Sequence, residues 1–208
     1  MKELTIGVLG LQGAIEEHVV ATNLAFNEMR LRGNVVWVKT TEDVHSISGL
    51  IIPGGESTVI GGLSNLNQTL QTIEQRIHNG MPVLGTCAGL VLLAKKTYDR
   101  VLGEISQPLL GAMDVVVERN AFGRQKESFE ADLDISILGE KRFRGVFIRA
   151  PAVQGTGPQV EVISRLNEAI VAVLQHNIVG TAFHPELTED TRLHQFFINM
   201  VTRYINKE

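Results

Sequence analysis

The chain has 208 residues, about 1.4 times a ~150-residue domain, so one domain spanning 1–208 is expected. Hydrophobic residues make up 44% and charged residues 20%, which excludes disordered, collagen-like and coiled-coil classes. Nineteen basic against twenty-three acidic side chains leave a net charge of −4, so there is no general electrostatic case for binding nucleic acid or a membrane surface, and small-molecule or protein partners are expected. Cys87 is the only cysteine, which excludes an intrachain disulfide framework, a CxxC redox pair and a thiolate-rich zinc site, and fits a reducing, cytoplasmic setting. The longest uncharged apolar stretch, 81–94, contains Pro82, Gly85 and Gly89 and is shorter than the ~20 residues of a membrane span. The apolar run 4–11 follows an acidic residue, Glu3, and precedes no A-x-A-like cleavage site, so it reads as a first strand and not as a signal peptide.

In chain order, 5–11 (TIGVLGL) is a strand that breaks at Gln12-Gly13. The stretch 14–32 carries Val19, Val20, Leu24 and Met29 near helical spacing and stops at Gly33. A second strand is expected at 35–38 and a third at 50–52, the latter ending in Pro53-Gly54-Gly55. Leu66, Leu70, Ile73 and Ile77 predict one helix over 63–78, closed by Asn79-Gly80. A fourth strand follows at 82–85, and 90–96 reads as helix. Strands at 113–118, 128–135 and 146–149 without long helices between them predict an antiparallel or mixed extension. Stretches 160–166, 170–175 and 178–183 suggest a hairpin returning to the core, and 191–204 a closing helix. Short Val/Ile/Leu runs alternating with helices predict an α/β fold with a mostly parallel sheet covered on both faces.

Cys87 lies in GTCAGL (85–90), with a glycine two residues to either side. G-x-nucleophile-x-G is the pattern of a strained strand-to-helix turn that exposes a nucleophile, and the N–H after it, here that of Ala88, faces the same space. The start of a helix favours a thiolate, the reactive form of a cysteine. A buried, inert thiol fits the same residues. In FHPEL (183–187), His184 offers a base and Glu186 a carboxylate two residues on; in extended backbone these share a face, as a Cys-His-Glu relay requires. A structural histidine beside a solvated glutamate fits equally well, and a metal site of His184, Glu186 and His194 lacks any familiar ligand spacing.

PGGEST (53–58) follows the third strand, at the sheet edge where open α/β folds bind ligands. Gly55 is placed in sequence to be a second oxyanion donor beside Ala88; the alternative is a plain turn followed by a helix cap. The segment lacks a Walker pattern, and Gly7, Gly10 and Gly13 are not a GxGxxG. Arg119 in VERNAFGRQ (117–125) and Arg149 in FIRAP (147–151) suit a substrate carboxylate in fork geometry; taken singly each also fits a surface ion pair. His18, His45, His78 and His176 have no partner in sequence and read as structural or solvated.

Together these motifs resemble class I (triad) glutamine amidotransferases. GLQGA (10–14), PGGEST, GTCAGL, VERNAFGRQ, SFEADL (128–133), FIRAP and FHPELT (183–188) are similar to the glutaminase-subunit family of pyridoxal 5′-phosphate synthase, from the first strand to the last helix. The resemblance implies a three-layer flavodoxin-like fold with a mixed, partly antiparallel extension, no cofactor and no metal. It implies hydrolysis of L-glutamine by Cys87, His184 and Glu186, with oxyanion donors at Gly55 and Ala88. Gly55, Glu56, Ser57, Arg119, Ile148 and Arg149 match glutamine-binding positions. Ammonia would pass to a synthase subunit, and Gln12 is the candidate for coupling its docking to the oxyanion turn. Stretches 98–108, 152–158 and 65–71 depart from the family pattern. The competing readings are another cysteine hydrolase on this scaffold, such as a γ-glutamyl hydrolase or peptidase relative, and a binding module; a broken triad would mark the latter, whereas all three residues are present.

Overall fold

Runs of Val, Ile and Leu that are apolar in both directions form the central strands, because a strand covered on both sides buries every side chain. The computed structural model describes residues 4–99, 103–104, 106–122 and 128–207. In order, these form β1 (Thr5–Leu9), α1 (Ile15–Met29), β2 (Asn34–Val38), α2 (Thr41–Ser46), β3 (Gly49–Ile52), α3 (Ser57–Leu66) and α4 (Thr69–His78). Then come β4 (Val83–Thr86), α5 (Ala88–Leu93), β5 (Ala94–Asp99), β6 (Gly103–Glu104), β7 (Met113–Arg119), β8 (Phe129–Leu133) and β9 (Phe143–Phe147). The chain closes with β10 (Ala152–Thr156), β11 (Glu161–Leu166), β12 (Ala169–Gln175), β13 (Ile178–Thr181) and α6 (Arg192–Ile205).

The main sheet runs β2-β1-β3-β4-β13-β12-β10-β7-β5-β6, with β11 on β12. From β2 to β13 every pairing is parallel; β13–β12, β12–β10 and β10–β7 are antiparallel. The fold is therefore α/β, with a mostly parallel centre and an antiparallel extension, as the sequence predicts. Strands β3 and β4 are buried throughout. A separate hairpin, β8–β9, packs Phe129 flat on Phe147, their ring centroids 4.7 Å apart. Among the described residues, no helix is long and apolar enough to cross a membrane.

Several elements differ from the sequence expectation. The helix expected over 63–78 is two, α3 and α4, broken where Gln68 turns left-handed (φ 63°). Asn67 Oδ1 accepts from the Thr69 N–H at 3.2 Å, which satisfies one first-turn donor of the second helix. Four-residue spacing from Leu66 to Leu70 hides this break, and Leu66 is in fact 82% exposed. Helix α1 buries His18, Ala21, Thr22, Ala25 and Phe26, leaving Val20 67% exposed, so its core face is not the one the larger apolar residues mark. It ends at Arg30 in a left-handed conformation, before Gly33. Helix α2 was not expected; the Thr40–Asp43 capping box starts it.

Residues 94–96 are not helix, since Ala94 turns extended and opens β5, which pairs in parallel with β7. Strand β10, which is not among the expected strands, pairs β7 with a register shift between Val153 and Gly155. The strand expected at 146–149 lies earlier, at β9, so Ile148 and Arg149 fall in a bend. Residues 123–125 of VERNAFGRQ, and 100–102 and 105 of the stretch 98–108, lie outside the described residues.

Candidate active site

Four segments leave the carboxyl ends of the adjacent parallel strands β1, β3, β4 and β13, the edge at which open α/β sheets bind ligands. Cys87 joins β4 to α5 with φ 48° and ψ −102°. Glycine favours that region, and a side chain held there stores about 1–3 kcal/mol of strain. The turn closes this tightly because Gly89 has no side chain: a Cβ there would lie 2.1 Å from the Ile52 carbonyl oxygen. Its geometry is that of the expected nucleophile turn. The Cys87 thiol points toward the Ile148 carbonyl, 3.9 Å away. Ala88 opens α5, so its amide is among the first-turn donors that no helical carbonyl reaches.

Thr181 of β13 sits in register with Thr86 of β4, so the chain after β13 emerges beside Cys87. The His184 N–H donates to the Val146 carbonyl at 2.8 Å, tying this segment to β9. His184 Nδ1 lies 2.7 Å from Glu186 Oε1. The backbone differs from the extended one expected: Pro185–Leu187 is a turn of 3-10 helix with proline at its start. That turn, and not strand alternation, brings the two side chains together.

Burial pulls the His184 imidazole down, but hydrogen bonds to Cys87 and Glu186 and their negative charge outweigh it and raise it to about 10. Burial pushes the Glu186 carboxyl up, yet the neighbouring His18 and His184 rings and the His184 hydrogen bond hold it below the usual carboxylate range. The raised His184 imidazole thus sits between Cys87 and the Glu186 carboxylate.

Facing Cys87 is the PGGEST turn. Gly54 packs against the His184 ring, and its carbonyl accepts from the Ala14 N–H at 3.0 Å. Gln12 Oε1 accepts from the Glu56 N–H at 2.8 Å. The turn is thus pinned to the GLQGA loop from both ends. Arg119 pairs with Glu56 at 2.7 Å and donates to Gln107, which also accepts from the Ser57 hydroxyl at 3.2 Å. Its guanidinium is therefore braced by a carboxylate of the same pocket.

A cavity of about 220 Å³ opens between these segments. Gly55, Glu56, Ser57, Cys87, Ala88, Arg119, Ile148, Arg149 and His184 all line it. Glu186 stands behind His184, and Gln12 behind the turn. Gly13, Ala14, Asn120 and Pro151 also line it; they lie inside motifs already singled out, whereas Val91, one helical turn past Cys87, carried no signal of its own. His18, read as structural or solvated, is fully buried, 3.3 Å from Glu186 Oε2, a neighbour that the sequence did not point to. A polar residue three and seven positions before Ala21 and Ala25 marks it only once the correct face of α1 is known. Among the described residues, no group of three or more His, Cys, Asp or Glu side chains is arranged to hold a metal ion.

A model of the SNO glutamine amidotransferase family matches residues 8–203. The chain belongs to that family. SNO-family membership agrees with full-length similarity to a pyridoxal 5′-phosphate synthase subunit PdxT from Nitrosopumilus maritimus, 48% identical and covering 94% of this chain and 96% of the relative. The PdxT of Methanosarcina acetivorans is 49% identical, covering 95% and 98%. A solved structure described as a glutamine amidotransferase superposes with a TM-score of 0.83 at 41% identity, covering 95% of this chain and 98% of that one. A Thermotoga maritima glutamine amidotransferase shares the fold at a TM-score of 0.58 and 13% identity, covering 100% and 98%.

Proposed function

We propose that this SNO-family chain is the glutaminase subunit of a pyridoxal 5′-phosphate synthase, hydrolysing L-glutamine to L-glutamate and ammonia and delivering the ammonia to a synthase subunit. The observation that carries the reading is the strained Cys87 turn beside the buried His184–Glu186 pair, in a chain about half identical to PdxT subunits over nearly its whole length.

In this reading Cys87 Sγ attacks the side-chain amide carbon of glutamine. The N–H groups of Gly55 and Ala88 stabilise the tetrahedral oxyanion. His184, held by Glu186, gives its proton to the departing nitrogen, so ammonia leaves and a glutamyl thioester remains. His184 then takes a proton from water, whose oxygen attacks the thioester, and returns a proton to the sulfur as glutamate departs. Glu56, Ser57, Arg119, Ile148 and Arg149 hold the substrate. Removing one oxyanion donor costs about 10² to 10³ in turnover, so a small displacement of the turn switches the enzyme. Gln12, bonded to Glu56 N–H, is placed to couple partner docking to that turn.

A protein partner is also favoured by exposed apolar side chains on helices that begin at the cavity: Val20 and Leu24 on α1, Val59 and Leu63 on α3. Free ammonia in neutral water becomes ammonium and loses its nucleophilic lone pair, so a shielded transfer suits the chemistry. The reducing cytoplasm suits a working thiol.

The test is glutamate release from L-glutamine by the chain with and without a pyridoxal 5′-phosphate synthase subunit. Stimulation by that subunit is expected, with no release from Cys87→Ala; turnover retained in Cys87→Ala would remove the nucleophile assignment. A reduced, folded protein inactive under both conditions would end the glutaminase reading.

A further inference from the structure

Behind the Cys87–His184–Glu186 line lies a second layer of polar side chains for which the proposed reaction has no use. His18, on α1, places Nε2 3.3 Å from Glu186 Oε2 and 3.0 Å from Thr86 Oγ1. Its Nδ1 lies 3.1 Å from Nε2 of His194, on α6. His18, Thr86 and His194 are all fully buried. Glu186 Oε1 is taken by His184, which leaves Oε2 in the interior with His18 Nε2 facing it. A buried carboxylate oxygen without a donor is costly.

Only one of the two neutral tautomers of His18 satisfies this arrangement. With hydrogen on Nδ1, the Nε2 lone pair would face Oε2, and His194 would have to accept at Nε2. The hydrogen of His194 would then sit on Nδ1, which has no hydrogen-bond partner, leaving an orphaned buried N–H. With hydrogen on Nε2, the N–H donates to Thr86 Oγ1 and turns its positive end, not a lone pair, toward Oε2 3.3 Å away. His18 Nδ1 then accepts from His194 Nε2–H, and what is left without a hydrogen-bond partner is acceptor capacity alone, at His194 Nδ1 and Glu186 Oε2. Burial keeps both rings neutral. The titratable groups facing His18 are Glu17 on its own helix, His184 and Glu186 from the turn after β13, and His194 from α6.

We infer that His18, held by His194 and Thr86 in its Nε2–H tautomer, is a positioning residue that turns its N–H dipole on Glu186 Oε2 and so fixes the carboxylate with Oε1 aimed at His184 Nδ1. Its kinetic consequence rests on the glutaminase reading; its tautomer does not.

Nitrogen NMR of histidine-labelled protein tests the tautomer directly. Neutral His18 with hydrogen on Nε2 is expected, and hydrogen on Nδ1, or a charged ring at neutral pH, overturns the inference. Glutamate release, measured with the synthase subunit present, tests the consequence. His18→Leu should lower kcat roughly 10- to 100-fold, the scale of losing the outer partner of a functional imidazole, with little change in KM. His18→Gln, whose amide nitrogen reaches the Nε2 position, should restore most of that loss. A Leu variant with unchanged kcat, or a folded Gln variant as poor as Leu, overturns the inference; should the Leu variant not fold, a tenfold or larger loss in Gln alone does so. Wild-type protein that released no glutamate would instead defeat the glutaminase reading, and the measured tautomer would then decide the inference by itself.

Discussion

Gly54 lies so close to the His184 ring that a Cβ on it would sit 2.2 Å from Cε1. No rotation of a methyl group relieves such a contact, so Gly54→Ala must displace the imidazole from its present place. Displacing a reacting group by about 1 Å costs on the order of 10² in rate, and overpacking typically costs about 1–3 kcal/mol of stability. We therefore expect Gly54→Ala to lose about a hundredfold in kcat for glutamine while remaining folded. Turnover equal to the wild type would show that the ring is not confined by this turn.

Glu186→Gln keeps the shape of the side chain but removes the charge opposite His184. In the related Ser-His-Asp arrangement, the equivalent amide costs about 10⁴ in kcat because it favours the wrong tautomer. A loss of about 10² to 10⁴ in glutamate release is expected, with a smaller effect on KM. Nearly full activity would reduce Glu186 to a packing role.

The strain at Cys87 predicts opposite effects on stability and function. Glycine tolerates φ 48° and ψ −102°, whereas alanine keeps the steric cost of a Cβ. Cys87→Gly should thus be more stable than Cys87→Ala by roughly 1 kcal/mol, after the larger chain entropy of unfolded glycine is counted, and both should be inactive. Urea unfolding of the two variants decides this; an alanine variant as stable as glycine would mean that the turn is unstrained.

The buried histidines set the acid limb of stability. Burial holds His18 below its ordinary 6.5 and takes His194 to about 3. Once unfolded, both take up protons that the folded chain refuses. Stability is therefore lost as pH falls below about 6.5, by up to ~1.4 kcal/mol per pH unit for each ring. His184, despite its burial, is raised to about 10 and acts in the other direction: its contribution is complete below 6.5 and disappears as pH rises through about 10. Glu186 is held below 4.5 in spite of its burial, so its contribution is present above that value and is lost in acid. These four groups place maximum stability near pH 6.5. Urea unfolding across pH should show it, and His194→Leu should flatten the acid limb by about one proton; an unchanged slope would contradict the neutral, buried state of His194.

The sheet and the residues that meet at the candidate site were legible because they are written in local patterns. Val-Leu-Gly-Thr running into Cys87 states both a buried strand and its abrupt end, and Pro-Gly-Gly after Ile52 states a turn at the ligand-binding edge. His184 and Glu186 were paired correctly for an incorrect reason, since spacing by two is satisfied by a 3-10 turn as well as by a strand. What remained hidden depends on partners far away in sequence. Val20 and Leu24 look like the core face of α1, but the sheet and α6 select the face of His18 and Ala25, and side-chain size alone cannot reveal that choice. The break at Gln68 was masked by leucines that keep helical spacing across it. Strand β10 is specified by its partners β7 and β12, not by its own composition.

β13 is the last strand of the chain, yet it fills the slot between β4 and β12 and its Thr181 carbonyl accepts the Cys87 amide at 2.8 Å. During synthesis the cysteine leaves the ribosome some hundred residues before His184 exists. Until 178–186 insert, the half-built sheet offers an ordinary thiol with no imidazole beside it. Closing that long loop is an intrinsically late event, so the Cys87–His184 pair on which the glutaminase reading depends is assembled only with the completed fold.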